Sequence, residues 1–296
     1  MSSPPDLATR LERLIARDPG GRGIGPLAVA ASGGLARATA ALAEARAVTI
    51  LTGFFIKAAN PPAAENDGPI GTAFLAAALV GRGVPVRVVT DHACGPVVEA
   101  AVAAAGLAGA CAVETVAVDP LAAGDAVEAV SARHDAAPAS HVVAIERCGP
   151  SRDGAPRNLK GEDIAADTAP LERLFTPPSY RIGIGDGGNE LGMGSLAAEL
   201  VARHVPDGAR VACVVPADAL VVCGVSNWGG AALALLVGGP AVTDRVDGAA
   251  HDRLLEAVTA AGAVDGIRRV PSLSVDNLDA AVHRELIEAL VAEVRA

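Results

Sequence analysis

Aromatic side chains are scarce, with four Phe, one Tyr and one Trp in 296 residues. A ring-stacked core is therefore excluded, and the interior has to be filled with small aliphatic groups, chiefly Ala and Val. Basic residues are also short, 24 Lys and Arg against 34 Asp and Glu, for a net charge of −10. Nucleic-acid partners need a basic face to neutralise phosphates, so that class is excluded. The five cysteines, Cys94, Cys111, Cys148, Cys213 and Cys223, form no C-x-x-C pair. Their odd number argues against a disulfide framework, and a reducing cytoplasm is the expected location. The N-terminus, Met1-Ser-Ser-Pro-Pro-Asp6, lacks the basic and apolar regions of a signal peptide. No stretch reads as a membrane span, because the most apolar one, Val211 to Val237, is broken by Pro216, Asp218, Ser226 and Asn227. Linkers, low-complexity tracts and repeats are missing too, which predicts one domain over 1–296.

What is present is alternation. Short apolar runs at Val48–Thr52, Val84–Thr90, Glu114–Val118, His141–Ile145, Arg181–Ile184 and Val211–Val215 read as strands, with Asp218–Val222 as a further short one. Amphipathic or alanine-rich stretches between them read as helices: Leu7–Arg17, Leu27–Ala45 with a break at Gly33-Gly34, Thr72–Val80, Val97–Ala105, Leu121–His134, Glu162–Phe175, Ser195–His204, Asn227–Val237, His251–Ala261 and Asp279–Val294. Runs such as Val-Arg-Val-Val suit strands buried on both faces. The pattern predicts an α/β fold, a mostly parallel, doubly wound Rossmann-like sheet with helices on both faces.

The chain is organised around Arg181-Ile-Gly-Ile-Gly-Asp-Gly-Gly-Asn-Glu-Leu-Gly-Met-Gly194, a strand running into a glycine-dense turn that holds Asp186, Asn189 and Glu190. Gly183, Gly185 and Gly188 satisfy G-x-G-x-x-G. A dinucleotide is nevertheless not expected, because Asp186 sits inside the fingerprint and Glu190 just beyond it, and two anions oppose a diphosphate. Ligands of open α/β sheets lie beyond the carboxyl ends of the strands. There the sequence gathers Glu65, Asn66 and Asp67, then Asp91 and His92, then Glu146 and Arg147, then Asp186, Asn189 and Glu190, then Ser226 and Asn227. Converging carboxylates repel unless a cation neutralises them, and oxygen ligands favour Mg²⁺ or Mn²⁺. Glu146, Asp186 and Glu190 are the expected metal ligands. Blander roles stand beside these: Asp186 as a turn residue, Glu190 at a helix start, Glu146–Arg147 as a surface ion pair, Asp91 or Ser226-Asn227 as helix caps. Zinc on His92, Cys94 and Cys148 is disfavoured by their spacing.

Gly183-Ile-Gly-Asp-Gly-Gly-Asn-Glu-Leu-Gly-Met-Gly194 resembles the signature of the D-glutamate cyclase-like family. Glu65-Asn-Asp-Gly-Pro-Ile-Gly71, Glu146-Arg-Cys-Gly149 with Asn158-Leu-Lys-Gly161, and Val225-Ser-Asn-Trp-Gly-Gly230 resemble it as well. The departures are Asn66, where threonine is expected, and Cys148, where proline or a small residue is expected. The resemblance implies conversion of D-glutamate to 5-oxo-D-proline and water, in a stand-alone bacterial-type chain acting as a monomer or a homo-oligomer. It also implies roles. A metal at Asp186 and Glu190 would polarise the γ-carboxylate, and Glu146 or Asp91 would take the ammonium proton. Arg147 would clamp the α-carboxylate, with Asp67, Asn189, Ser226 and Asn227 orienting the substrate. A Mg²⁺- or Mn²⁺-dependent phosphatase and a non-catalytic amino-acid- or metal-binding protein are the alternatives.

Overall fold

Six short apolar runs pair into one parallel sheet in the computed structural model of the protein, which describes residues 6–118 and 138–296 together with Glu128, Ala132 and Ala136. The strands are β1 Val48–Thr52, β2 Val86–Asp91, β3 Cys111–Val116, β4 His141–Ile145, β5 Tyr180–Gly185 and β6 Ala219–Val222. Their spatial order is β3-β2-β1-β4-β5-β6, and every neighbouring pair is parallel. This is the doubly wound Rossmann-like arrangement that the alternation predicts, with its order reversing between β1 and β4. The helix expected over Leu121–His134 lies, for the most part, outside the described residues.

Alternate residues of each strand feed opposite faces. On one face, Ile50, Val88, Val143, Ile145, Ile184 and Val221 join a core with the helices Pro69–Gly81, Gly95–Ala104 and Ser226–Gly238. On the other, Leu51, Val89, Val142, Ala144, Leu220 and Val222 pack with Leu27, Val201 and Phe175, so both sides of the sheet are covered. The Pro69–Gly81 and Ser226–Gly238 helices meet through glycines: a Cβ at Gly230 would lie 2.6 Å from the Gly71 Cα. This contact draws the two helix N-termini to one point beside the switch in strand order.

Two expected elements differ. Glu162–Phe175 is not a helix but two short 3₁₀ turns, Ala165–Asp167 and Leu171–Leu174. Pro170 between them has no N–H to donate and clashes with a preceding helical turn. Val211–Val215 is not a strand; Val211 closes the short Gly208–Val211 helix. The following backbone serves the glycine-rich loop instead, with Cys213 N–H on Gly188 O at 3.0 Å and Val215 O accepting from Gly192 and Gly194.

Candidate active site

Glu146 directly follows β4 and Asp186 directly follows β5, so adjacent parallel strands deliver both carboxylates to one end of the sheet. Glu146 has a backbone φ of 46°, a left-handed conformation that a non-glycine residue adopts at an energetic cost. Its carboxylate Oε2 accepts the Ser226 hydroxyl proton, which fixes its direction. Glu65, Asp67 and Asp276 complete the neighbourhood.

Glu190 explains the glycine density. Its Oε1 accepts the N–H groups of Asp186 at 2.8 Å and of Gly187, and its Oε2 accepts that of Gly188 at 2.7 Å. The turn is therefore an anion nest filled by the chain's own carboxylate. A phosphate would have to displace Glu190 to use it. Gly183 is needed because a Cβ there would lie 2.4 Å from the Leu191 carbonyl oxygen as the loop folds back over β5.

Asp67 and Asn227 cap each other's helices. Asp67 accepts from Ser226 N at 2.9 Å and Asn227 N at 2.7 Å, while Asn227 Oδ1 accepts from Gly68 N at 2.9 Å and Gly71 N at 2.7 Å. Such caps satisfy the orphan donors of both N-termini and place their positive dipole ends beside the acidic cluster. Asn189 lines the cavity beside the cluster, and its Nδ2 donates to Arg157 O at 2.8 Å.

The electrostatics are unbalanced. Burial, reinforced by neighbouring carboxylates, pushes the Glu146 and Glu65 carboxyls well above the usual range. Burial does the same to Asp186, and Arg22 opposes it only in part. Asp67 is pushed up to about 7 by burial and Asp276, against the pull of the Asn227 and Ser226 N–H groups. Arg22 bridges two of the acids, Nη2 to Asp186 Oδ1 at 2.8 Å and Nη1 to Asp276 Oδ2 at 2.7 Å. One guanidinium does not saturate them: Asp186 Oδ2 and Glu65 Oε1 are buried without a hydrogen-bond partner. Glu146, Asp186 and Glu190 each bring an oxygen within 4.8 Å of the others, as do Asp67, Asp186 and Asp276. All-oxygen sets of this kind with an unsatisfied buried oxygen fit a hard divalent cation. Glu190 in the first set and Asp67 in the second each accept three N–H groups, and what favours the first set is Glu146, whose carboxylate takes the neutral Ser226 hydroxyl where Asp276 holds the Arg22 guanidinium.

A cavity of about 600 Å³ opens onto this cluster, lined by Arg22, Glu65, Glu146, Asn189 and Asp276 on the polar side and by Phe54, Ile56, Leu159 and Ile164 on the apolar side. Of the expected site residues, Glu146 and Asn189 line it, Asp186, Glu190 and Asp67 stand behind them in the carboxylate cluster, Ser226 and Asn227 bond to members of that cluster, and Arg147 and Asp91 belong to neither. Arg147 is fully buried, with Nη1 and Nη2 both on the Asp91 carboxylate and further bonds to Gly53 O at 3.0 Å and Ala169 O. Neither residue of that pair lines the cavity, so the guanidinium is not presented to a substrate carboxylate nor Asp91 to an ammonium. Sequence reasoning passed over Arg22 and Asp276, and placed Glu65 at the rim of the sheet without giving it a role. The signal for Glu65 was its place two residues before Asp67. Asp276-Asn277 was a weaker one, a polar pair whose backbone takes φ of 53° and 63°. Arg22 sits in a glycine-rich loop, and nothing local marks it.

A doubly wound α/β fold with a buried carboxylate cluster at its switch point defines a site for a small polar molecule rather than a polymer. The family model described as "D-glutamate cyclase-like, C-terminal" matches residues 11–291. The chain belongs to that family. It is 37% identical over 233 residues to human "D-glutamate cyclase, mitochondrial", an alignment that covers 76% of this chain and 37% of the human protein. The chain thus spans little more than a third of its human relative.

The comparison corrects the cytoplasmic expectation, since the human relative is mitochondrial. The five cysteines are buried and free, which does not assign a compartment. Among the described residues, no helix is long and apolar enough to cross a membrane.

Proposed function

We propose that this chain cyclises D-glutamate to 5-oxo-D-proline with loss of water, at the Glu146–Asp186–Glu190 cluster. Family membership supports D-glutamate as the substrate. The observation that carries the assignment to this cluster is the pairing of Glu146, a buried carboxyl of raised affinity for protons, with the unpartnered Asp186 Oδ2 beside it.

Ring closure joins the amino nitrogen to the carbon of the γ-carboxylate and breaks one of that carboxylate's carbon–oxygen bonds. The ammonium gives up two protons overall, and the departing γ-oxygen takes both to leave as water. Glu146 suits the relay. A carboxyl held above its usual range can accept a proton from an ammonium in a dry cavity and return it to oxygen. Ser226 positions it. Asp276 and Glu65 attract the ammonium into the same cavity. Glu190, by filling the nest, holds Asp186 and its neighbours in place. A divalent ion held by Glu146, Asp186 and Glu190 would polarise the γ-carboxylate and stabilise the charge on its oxygen.

The test is product identification. Incubation of the protein with D-glutamate and Mg²⁺ or Mn²⁺ is expected to yield 5-oxo-D-proline by chiral chromatography and NMR, with a phosphoester left intact in a parallel reaction. Phosphoester hydrolysis without lactam, or D-glutamate binding without turnover, would replace this reading by one of its rivals.

A further inference from the structure

With Arg147 sealed away, the cavity needs another cation for a substrate carboxylate. Four basic side chains line it: Arg22, Lys57, Lys160 and Arg269. Arg22 is held by Asp186 and Asp276, and Lys57 by Asp167 at 3.1 Å. Among the described residues, the Lys160 ammonium and the Arg269 guanidinium have no hydrogen-bond or ion-pair partner. They differ in setting, Lys160 being exposed and Arg269 half-buried.

The Arg269 loop is built to hold its place. Asp265, fully buried, accepts from Ile267 N at 2.9 Å and Arg268 N at 2.8 Å, and its carbonyl accepts from Arg269 N at 2.7 Å. The same carboxylate accepts from Ser274 Oγ at 2.6 Å and Asn277 N at 2.9 Å. One buried aspartate thereby ties the loop carrying Arg269 to the turn carrying Asp276. A free guanidinium and a cavity carboxylate are borne on one fixed unit.

Resting on the D-glutamate reading, we propose that Arg269 is the specificity-determining residue that binds the substrate's α-carboxylate, with Lys160 drawing anionic substrate to the entrance. When the glutamate chain folds so that its nitrogen meets the carbon of its γ-carboxylate, the α-carboxylate is the ionised group left projecting from the forming ring. The reacting atoms belong at Glu146 and Asp186, and the projecting group belongs at an unpaired cation on the same cavity. Arginine's planar fork matches a carboxylate through two parallel hydrogen bonds. The product keeps this carboxylate, so the subsite binds 5-oxo-D-proline as well.

The experiment compares the wild type with Arg269→Gln and Arg269→Lys, after thermal midpoints establish that all three are folded. Steady-state constants are measured for D-glutamate and for its α-carboxamide, and binding of 5-oxo-D-proline by calorimetry. For Arg269→Gln the KM for D-glutamate is expected to rise about 10- to 100-fold with kcat little changed, the size associated with hydrogen bonds to charged groups. The α-carboxamide should lose nothing further, and Arg269→Lys should recover part of the loss. An unchanged KM and unchanged product affinity in Arg269→Gln, or undiminished preference for D-glutamate over the α-carboxamide, would overturn the subsite alone. Wild-type protein that binds 5-oxo-D-proline through Arg269 but makes none would instead overturn the cyclase reading.

Discussion

Two arginines, Arg147 fully buried and Arg22 half-buried, face carboxylates in this molecule, and they are put to opposite uses. Arg147 and Asp91 lie fully inside, their mutual bonds supplemented by the Gly53 and Ala169 carbonyls. Arg22 divides itself between Asp186 and Asp276 at the cavity, and buried oxygens around it stay without partners. The first arrangement is closed: its charges are paired with each other, and although Arg147 Nε has no partner among the described residues, neither side chain lines the cavity. The second is open, with too many acids for one guanidinium. Burial of an ion pair alone therefore says little about function; what distinguishes the two is unsatisfied capacity facing a cavity.

The comparison can be broken at its closed end first. Arg147→Met leaves Asp91 buried without its counter-ion, and such a truncation typically costs about 3–5 kcal/mol. Urea denaturation should show that loss, and no divalent ion should restore it. Arg22→Gln should lose less, and Mn²⁺ should restore stability by taking over the neutralisation of Asp186. Equal losses, both insensitive to Mn²⁺, would erase the distinction.

pH separates the two regions next. His251 stacks on His283 with ring centroids 5.3 Å apart, and burial together with His283 lowers it to about 4 against the pull of Asp252. The folded state thus prefers neutral His251. Its contribution is complete above pH 6.5 and is lost as pH falls from 6.5 to 4, by roughly 3 kcal/mol for a shift of this size. His251→Gln should flatten that limb of a midpoint-versus-pH curve. The acidic cluster runs the other way. Glu65, Glu146, Asp186 and Asp67 bind protons more tightly when folded, so their contribution is present below about pH 4 and is lost as pH rises through the folded values, about 7 for Asp67. Mg²⁺ or Mn²⁺ should lift the midpoint at pH 8 and do little at pH 4.

A smaller effect probes the scaffold beneath the site. Gly230→Ala puts a Cβ 2.6 Å from Gly71 Cα, so the Pro69–Gly81 and Ser226–Gly238 helices must separate. Overpacking of this kind costs about 1–3 kcal/mol. Because these helices carry Asp67, Ser226 and Asn227 to the site, catalysis should fall further than thermal stability alone would require. A variant with a lowered midpoint but normal kcat would show the caps to be independent of the chemistry.

Much of the sheet was legible because parallel strands buried on both faces leave compact apolar runs. Val211–Val215 misled for the same reason: its apolar run serves the backbone of the Gly188–Gly194 loop, a tertiary use that no local pattern encodes. Glu162–Phe175 had helical apolar spacing, and Pro170 overrode it. At the site, carboxylates at strand ends were readable from topology, which is how Glu146, Asp186 and Glu190 were found together. Arg147, given the substrate's α-carboxylate by the resemblance, is instead paired with Asp91, a contact no local pattern announces. The chain turns at Glu146, and its neighbour points into the interior to meet Asp91. Arg22 and Asp276 come from loops 254 residues apart, and only the folded chain brings them together.

The most direct test of the account is a calorimetric titration of the protein with Mn²⁺, repeated on Asp186→Asn. The open cluster predicts a saturable site in the wild type that is lost or weakened at least tenfold in Asp186→Asn, with the variant still folded. A wild type that takes up no Mn²⁺, or a variant that binds it unchanged, would contradict it.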